Sequence, residues 1–520
     1  MATRIRFHLG IWPTAALGSE SSTTPVVTPR FALWVLIVVS LLVHLGWNAA
    51  IEASNDESYH YLYTVHPALS FFDHPPMTMW VEMIGLTLCG GWVHQFSLRL
   101  GFALVFACST WVLAKWTARW FSEWAGFYAA LFLNLSAYFA AAGSFALPDS
   151  SFLLFALLTM WAASEAVIAK PGRILPWVWV GLGFGAALLS KYHGIFLPAG
   201  VVLYILATPG TRKLLLSPGP YLAVLIGFAM FSPVLIWNAE NGWASFRFQG
   251  GRAVGSGFNP IGLLSAVFGP IGYLLPWIWY LLIAALVVRL RRFSTVSGIE
   301  RLLVCFTIVP LLMFAAVGCV RWVLPHWPLI GYVPLYPLVG AAWAEWAATN
   351  PVRSRYRIRQ MTVTLLVIMA IALTQARFGL IPFPGKDPLT DASGWESVAT
   401  ELESRGFVNE PHTFLFTTKW FDSGQLAFAL RNRVPVLCYN AGDARGFAFW
   451  SKEEQWVGWN GLYIATEPKD YDLELLKVFF EKAEKVDEFS MTRGGTPFRT
   501  VHVWRFTGQK APFPFTYPIK

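Results

Sequence analysis

Long apolar runs separated by short polar loops fill the first 380 or so positions of the chain. They fall at about 31–51, 94–114, 124–143, 147–168, 174–190, 193–208, 219–237, 261–288, 301–319, 323–346 and 360–380. Most have the length, roughly 17–25 residues, that a helix needs to cross a hydrocarbon core. A barrel of short alternating strands is thereby excluded. The pattern predicts an all-α multi-spanning membrane domain with about 11 transmembrane helices. Beyond about 381 the period changes. GWESVATELESRG and DSGQLAFALR read as helices, and TFLFTT, VPVLCY, GLYIAT and a final TVHVWRF read as strands, with one more helix around 471–484. That alternation predicts a small C-terminal α/β domain, with no Gly-rich phosphate loop. The expected division is a tail over 1–30, a membrane domain over 31–380 with a first outer loop at 52–93, and the α/β domain over 381–520.

Composition agrees. Of the 520 residues, 55% are hydrophobic and 13% charged, and the mean hydropathy is +0.49, where a soluble chain carries about 25% charge. The net charge of +9 does not point to nucleic acid, because nearly all the basic residues among the apolar runs lie in the short loops between them, where they set topology. One side receives Arg4, Arg6 and Arg30, Lys115 and Arg119, Lys170 and Arg173, Arg212 and Lys213, the arginines at 289–301, and those at 353–359; the other receives mainly Lys191, Arg247, Arg252 and Arg321. The basic side is cytoplasmic, which places the N-terminus inside and both the first outer loop and the C-terminal domain outside. The first 30 residues lack an early apolar segment with a cleavage site, so a cytoplasmic tail ahead of an uncleaved anchor is expected. Five scattered cysteines, Cys89, Cys108, Cys305, Cys319 and Cys438, offer neither a disulfide framework nor a zinc knuckle.

The densest chemistry lies just after the first apolar run. NDESYHYLYTVHPALSFFDHPPMTMW (55–80) holds Asp56, Glu57, Asp73, His60, His66 and His74 and no lysine or arginine. Its aromatic residues suit helices lying along the interface. A carboxylate partly desolvated there can act as a general base, since burial moves its pKa towards the working range. The prolines of DHPP can aim Asp73 and His74 at the same space. The three histidines read either as a metal site or as ordinary interfacial residues. In LPDSS, Asp149 sits at the mouth of a span, either as a functional charge or as part of a helix cap. In SKYHG, Lys191 and Tyr192 separate two short runs. A recessed Lys191 suits a lipid phosphate, and a snorkelling lysine is the alternative. Arg252 and Arg321 are further outer-side cations able to clamp an anion. The aromatic segment 440–461 reads as a lid or as a loop packed on the membrane domain. No nucleotide-binding motif appears, so no nucleotide cofactor is expected. An activated donor would then be membrane-borne, and a lipid-phosphate-linked group meets that need.

DESYHYLYTVHPALSFFDHPPM resembles the first outer loop of polyprenyl-phosphate-dependent glycosyltransferases of the GT-C class, in the bacterial branch related to protein O-mannosyltransferases and lipid A aminoarabinose transferases. LPDSSFLLFALLTMW, LLSKYHGIFLPAG, SPGPYLAVLIGFAMFSPVLIWNAENGWASFRFQ and VLPHWPLIGY follow in the family's order, over about 50–345. The resemblance implies many transmembrane helices, amphipathic helices in the first outer loop, and a pocket at the outer face of a bacterial inner membrane. It also implies a polyprenyl-phosphate sugar donor and transfer with inversion to a lipid, glycan or protein acceptor. By motif position Asp56 becomes the candidate base, with Glu57 beside it; Asp73 and His74 belong to the family's DHPP element and Lys191 to its SKY element. Some members use a divalent metal ion, whose ligands the sequence does not assign. The chain reads LPDSS where relatives more often read TPD-x-P. Two other classes stay open: a membrane transporter or flippase, and a non-catalytic envelope assembly protein. Against transport, the acids cluster at one face and no internal repeat is evident.

Overall fold

The computed structural model describes residues 27–255, 257–382, 387, 390–467 and 470–517, so most of the expected N-terminal tail lies outside the described residues. The chain begins with α1 (Pro29–Ala50), the two loop helices α2 (Asn55–Val65) and α3 (Met77–Leu88), α4 (Gln95–Trp120), α5 (Glu123–Asn134) and α6 (Ala137–Ala142). It continues with α7 (Pro148–Ser164), α8 (Leu175–Ser190), α9 (Phe196–Ala207), α10 (Pro218–Glu240) and α11 (Ala244–Gly251). Then come α12 (Pro260–Phe268), α13 (Pro270–Leu274), α14 (Pro276–Arg291), α15 (Gly298–Gly318), α16 (Leu329–Tyr332), α17 (Tyr336–Thr349) and α18 (Pro351–Phe378). Among the described residues six helices are long and apolar enough to cross a membrane: α1, α4, α7 with its π-helical extension to Ala169, α10, α15 and α18. The remaining apolar runs are shorter or broken helices. Proline at the first turn opens many of these pieces, where its missing N–H has no helical partner to lose.

Between apolar helices there is little hydrophobic gain from association in lipid, so close backbone contact holds the bundle. Gly126 and Gly340 supply it. A Cβ on Gly126 would lie 2.3 Å from the Ala114 carbonyl oxygen of α4, and one on Gly340 of α17 would lie 2.3 Å from that of Ala125 in α5.

The C-terminal domain carries α19 (Trp395–Ser404), α20 (Trp420–Ala429), α21 (Phe447–Trp450) and α22 (Asp470–Lys477). Among the described residues its strands are β1 (Thr413–Thr417), β2 (Val436–Cys438), β3 (Asn460–Ala465), β4 (Phe480–Arg493) and β5 (Thr496–Gln509), in the order β2-β1-β3-β5-β4. The first three are parallel, with Leu415 paired to both Val436 and Leu462; β5 and β4 close the sheet antiparallel. The helix expected around 471–484 stops at Lys477, and Phe480–Arg493 is a strand. The run EKAEKVDE has helix-favouring residues, but pairing along β5 overrides them, and its charges suit an exposed sheet edge. One face of the sheet buries Phe414, Phe416, Tyr439, Phe506 and Phe513. The other packs with Trp395, Val398 and Leu426 against Tyr59, Tyr61 and Leu62 of α2 in one continuous core.

That shared core makes α2 the hinge-plate between the two domains. Residues Glu57 to Tyr63 are all buried. Gly424 of α20 touches the Tyr59 backbone so closely that a Cβ would lie 3.1 Å from it. Ser58 donates to Gln425 at 2.8 Å, and the Gln425 amide returns hydrogen bonds to the Ala53 carbonyl and Asn55.

Candidate functional site

A cavity of about 870 Å³ opens where the loop after α1, the start of α7, the end of α8 and the segment after α11 converge. Asp56, Asp73, His74, Asp149, Lys191, Tyr192 and Arg252 all line it; Glu57 and Arg321 do not. Residues far apart in sequence are thus gathered by a few helix ends.

Asp56 occupies the first turn of α2, exposed to the cavity. Among the described residues it forms no ion pair and accepts no hydrogen bond. The desolvation expected for it is therefore not found; its carboxylate faces solvent. The capping box of Ser54 and Glu57 starts the helix and leaves Asp56 pointing away from this network.

Glu57 has a different fate. It is fully buried, and both its oxygens accept from Arg99, from Nε at 2.7 Å and Nη2 at 2.7 Å. The Ser54 and Ala146 backbone amides, each at 2.9 Å, complete its shell. Burial alone would push this carboxyl up, but Arg99 and the two amides outweigh it and hold it below the ordinary carboxylate range. Glu57 is thus consumed by a bidentate pair that fixes α2 to α4, and it has no free lone pair for chemistry. Sequence reasoning passed over Arg99, although an arginine inside an apolar run demands a partner.

Asp73 is buried and spoken for as well. Its Oδ1 accepts from the Tyr63 hydroxyl at 2.5 Å and the Tyr59 hydroxyl at 3.3 Å, and its Oδ2 pairs with Arg445 at 3.2 Å. Arg445 comes from the C-terminal domain and lies 3.9 Å from the centroid of the Trp420 ring. The Gly446 N–H next to it donates to the Tyr59 hydroxyl at 2.9 Å. The aromatic segment 440–461 therefore packs on α2, with Trp450 stacked on His66 and Arg445 reaching the cavity. His74 lines the cavity beside Asp73, and desolvation drives its imidazole down to about 3, against the pull of Asp73. It is a neutral ring and contributes no cation.

Asp149 and Lys191 form the tightest pair in the cavity. α7 and α8 run antiparallel, so the first turn of α7 meets Lys191, the C-cap of α8. Lys191 Nζ donates to both Asp149 oxygens, at 2.7 and 2.8 Å. Leu147, not Asp149, is the N-cap of α7; the carboxylate instead gains from the helix dipole and from the lysine. Tyr192 follows with its hydroxyl buried.

Arg252, the C-cap of α11, is the contrasting cation. Its guanidinium lies 4.7 Å from the Trp327 ring centroid and 5.2 Å from that of Phe248, and it forms no ion pair among the described residues. Arg321 donates to the Val254 carbonyl and lines a second cavity of about 420 Å³, shared with Arg252 and Trp327. His326, also unnoticed in the sequence, stacks on Tyr138 in the main cavity wall.

Among the described residues no three His, Cys, Asp or Glu side chains are grouped to hold a metal ion. His60 is tied to the Ala146 carbonyl at 3.0 Å and His66 to Trp450, so the three loop histidines share no centre.

A many-helix domain with a cavity at one end, a two-helix loop after α1 and an α/β domain seated on it make up the fold. The fold matches ArnT from Cupriavidus metallidurans bound to undecaprenyl phosphate, with a TM-score of 0.62 at 17% identity over 91% of this chain and 97% of that one. The archaeal oligosaccharyltransferase AglB from Archaeoglobus fulgidus, in complex with an inhibitory peptide and a dolichol-phosphate, matches with a TM-score of 0.51 at 12% identity over 90% of this chain and 74% of that one. Residues 73–237 match the dolichyl-phosphate-mannose-protein mannosyltransferase family. The lipid A galacturonosyltransferase RgtD of Rhizobium johnstonii (strain DSM 114642 / LMG 32736 / 3841) is 24% identical over 315 residues, 59% of this chain and 64% of that protein's length. The resemblance read from the sequence thus recurs in family, relative and fold.

Proposed function

We propose that the protein is an integral membrane glycosyltransferase that moves a sugar from a polyprenyl-phosphate donor to a hydroxyl or phosphate of a lipid, glycan or protein acceptor. The observation that carries this reading is one cavity holding, among the described residues, an unpaired carboxylate, Asp56, and a cation without a carboxylate partner, Arg252. Asp56 takes the proton of the acceptor hydroxyl as its oxygen attacks the anomeric carbon. The bond from that carbon to the donor phosphate oxygen breaks, and the polyprenyl phosphate leaves with one more negative charge. Arg252 holds that phosphate, and Lys191, oriented by Asp149, adds a second positive charge. Attack opposite the leaving phosphate inverts the anomeric centre. Glu57 and Asp73 act as positioning residues, through Arg99 and Arg445.

The charge asymmetry of the loops supports a multi-pass protein of about 11 spans in a bacterial inner membrane, with N-terminus inside and the cavity and C-terminal domain outside. The match to a lipid A galacturonosyltransferase makes a lipid A-type acceptor the first to try.

The test is transfer in membranes from labelled polyprenyl-phosphate sugars. Asp56→Asn is expected to lower the rate by about 10²–10⁴-fold with donor binding kept, and Arg252→Ala to weaken donor binding. Equal transfer by wild type and Asp56→Asn removes Asp56 as the base. No transfer by well-folded wild type from any such donor turns the reading towards transport or assembly.

A further inference from the structure

A groove of about 630 Å³ lies between α7 and α8, at the helix ends opposite those that carry Asp149 and Lys191. Sixteen residues of α7 separate Asp149 from Glu165 at the groove mouth, about 24 Å at 1.5 Å per residue. The groove is therefore distinct from the catalytic cavity and belongs to the other membrane face. Phe155, Leu158, Trp161, Trp179, Leu182 and Met230 make its apolar walls, and Lys170 and Arg173 stand at its mouth.

Helix packing explains why it opens there. Along its middle α8 is drawn tightly to its neighbours by glycines. A Cβ on Gly183 would lie 2.6 Å from Thr159 Oγ1 of α7, and one on Gly185 would lie 2.7 Å from Met230 of α10. Towards its start α8 instead presents Leu175 and Trp179, which are 61% and 58% exposed. On the facing side α7 widens into a π-helical turn at Glu165–Ala169, a feature frequent at functional sites.

The mouth is cationic. Glu165 is already engaged by Arg119 at 2.9 Å and Lys170 at 3.8 Å. Arg173 is exposed and has no ion pair among the described residues. Three cations thus face one carboxylate. An apolar groove in a bilayer fills with acyl chain, so the charges at its mouth choose the headgroup. A zwitterionic headgroup brings its own cation beside Lys170 and Arg173; an anionic one does not. Basic pockets between helices are the setting in which anionic headgroups bind, and tryptophans at the level of the headgroups suit the same boundary.

We propose that this groove binds one anionic phospholipid of the leaflet opposite the catalytic cavity, its phosphate at Arg173 and Lys170 and one acyl chain running along α7 towards Phe155. The occupant is a lipid and not free phosphate, because the walls are apolar over most of their length.

The test is native mass spectrometry of the full chain, titrated with phosphatidylglycerol or phosphatidylethanolamine of matched chains. Wild type is expected to prefer phosphatidylglycerol by about tenfold for the first lipid bound. Lys170→Ala with Arg173→Ala should remove that preference, and Leu158→Trp, which fills the groove and leaves the cations, should remove the bound lipid. Arg353→Ala with Arg355→Ala, two exposed arginines of α18 outside the groove, should change neither. Arg173→Lys, with charge retained, should keep the preference. Equal lipid preference in wild type and the Lys170/Arg173 variant overturns the proposal. So does an equal loss in the Arg353/Arg355 variant, or displacement of the lipid by millimolar inorganic phosphate.

Discussion

At the scale of single residues, neighbouring carboxylates divide into one that is free and several that are held. Asp56 and Glu57 are adjacent, yet a helix turns consecutive side chains about 100° apart, so one faces the cavity and the other Arg99. Removing one partner of such a buried pair leaves the other charge uncompensated. Arg99→Met is expected to cost about 3–5 kcal/mol of stability, seen as a lowered thermal midpoint in detergent. The pair also sets an acid limit. Because the folded carboxyl of Glu57 lies below its ordinary value, its stabilisation is complete above the unfolded pKa of about 4.3. It is lost as pH falls through the lower folded value. Thermal midpoints measured from pH 7 to pH 3 should show this loss in wild type, and Glu57→Gln should flatten it. Glu82 of α3 behaves oppositely. Its burial, with Glu57 nearby, pushes it well above the ordinary range, and neither oxygen has a hydrogen-bond partner among the described residues. It sits in the α3–α4 contact.

At the scale of elements, α2 is the piece on which both halves of the protein register. The membrane domain holds it through Arg99, and the C-terminal domain through Gln425, the Gly446 N–H on the Tyr59 hydroxyl and the close approach of Gly424. A branched side chain at Gly424 has to displace the Tyr59 backbone and with it the hydroxyl that helps to seat Asp73. Gly424→Leu should therefore loosen α20 from α2. Limited proteolysis is the measurement: the C-terminal domain should be released several-fold faster than from wild type, while helix content by circular dichroism stays the same. Unchanged release shows that the two domains are held elsewhere.

At the scale of the whole molecule, the proposed orientation has the catalytic cavity and the C-terminal domain on one side of the membrane and the basic loops on the other. Leu216, 90% exposed in the loop before α10, and Val478, 64% exposed after α22, report on the two sides. In a background stripped of the five native cysteines, an impermeant maleimide added to spheroplasts should label Val478→Cys and spare Leu216→Cys. The reverse pattern inverts the topology and moves the reaction to the other face.

Much of this protein is determined by sequence alone, and what is not has a common cause. Apolar run length and loop charge are local quantities, so the helical membrane domain and the change of character near residue 381 are legible directly. The GT-C resemblance is legible in the same way, because DESYHYLYTVHPALSFFDHPPM is one continuous stretch. Which of its acids is free was not legible, since the partners that remove Glu57 and Asp73 from chemistry, Arg99 and Arg445, lie 42 and 372 residues away. Strand β4 escaped for the same reason: its residues favour a helix locally, and only pairing with β5 makes them a strand. Composition and period express what a segment prefers by itself; charge compensation and strand pairing belong to pairs of segments, and only the tertiary structure brings those pairs together.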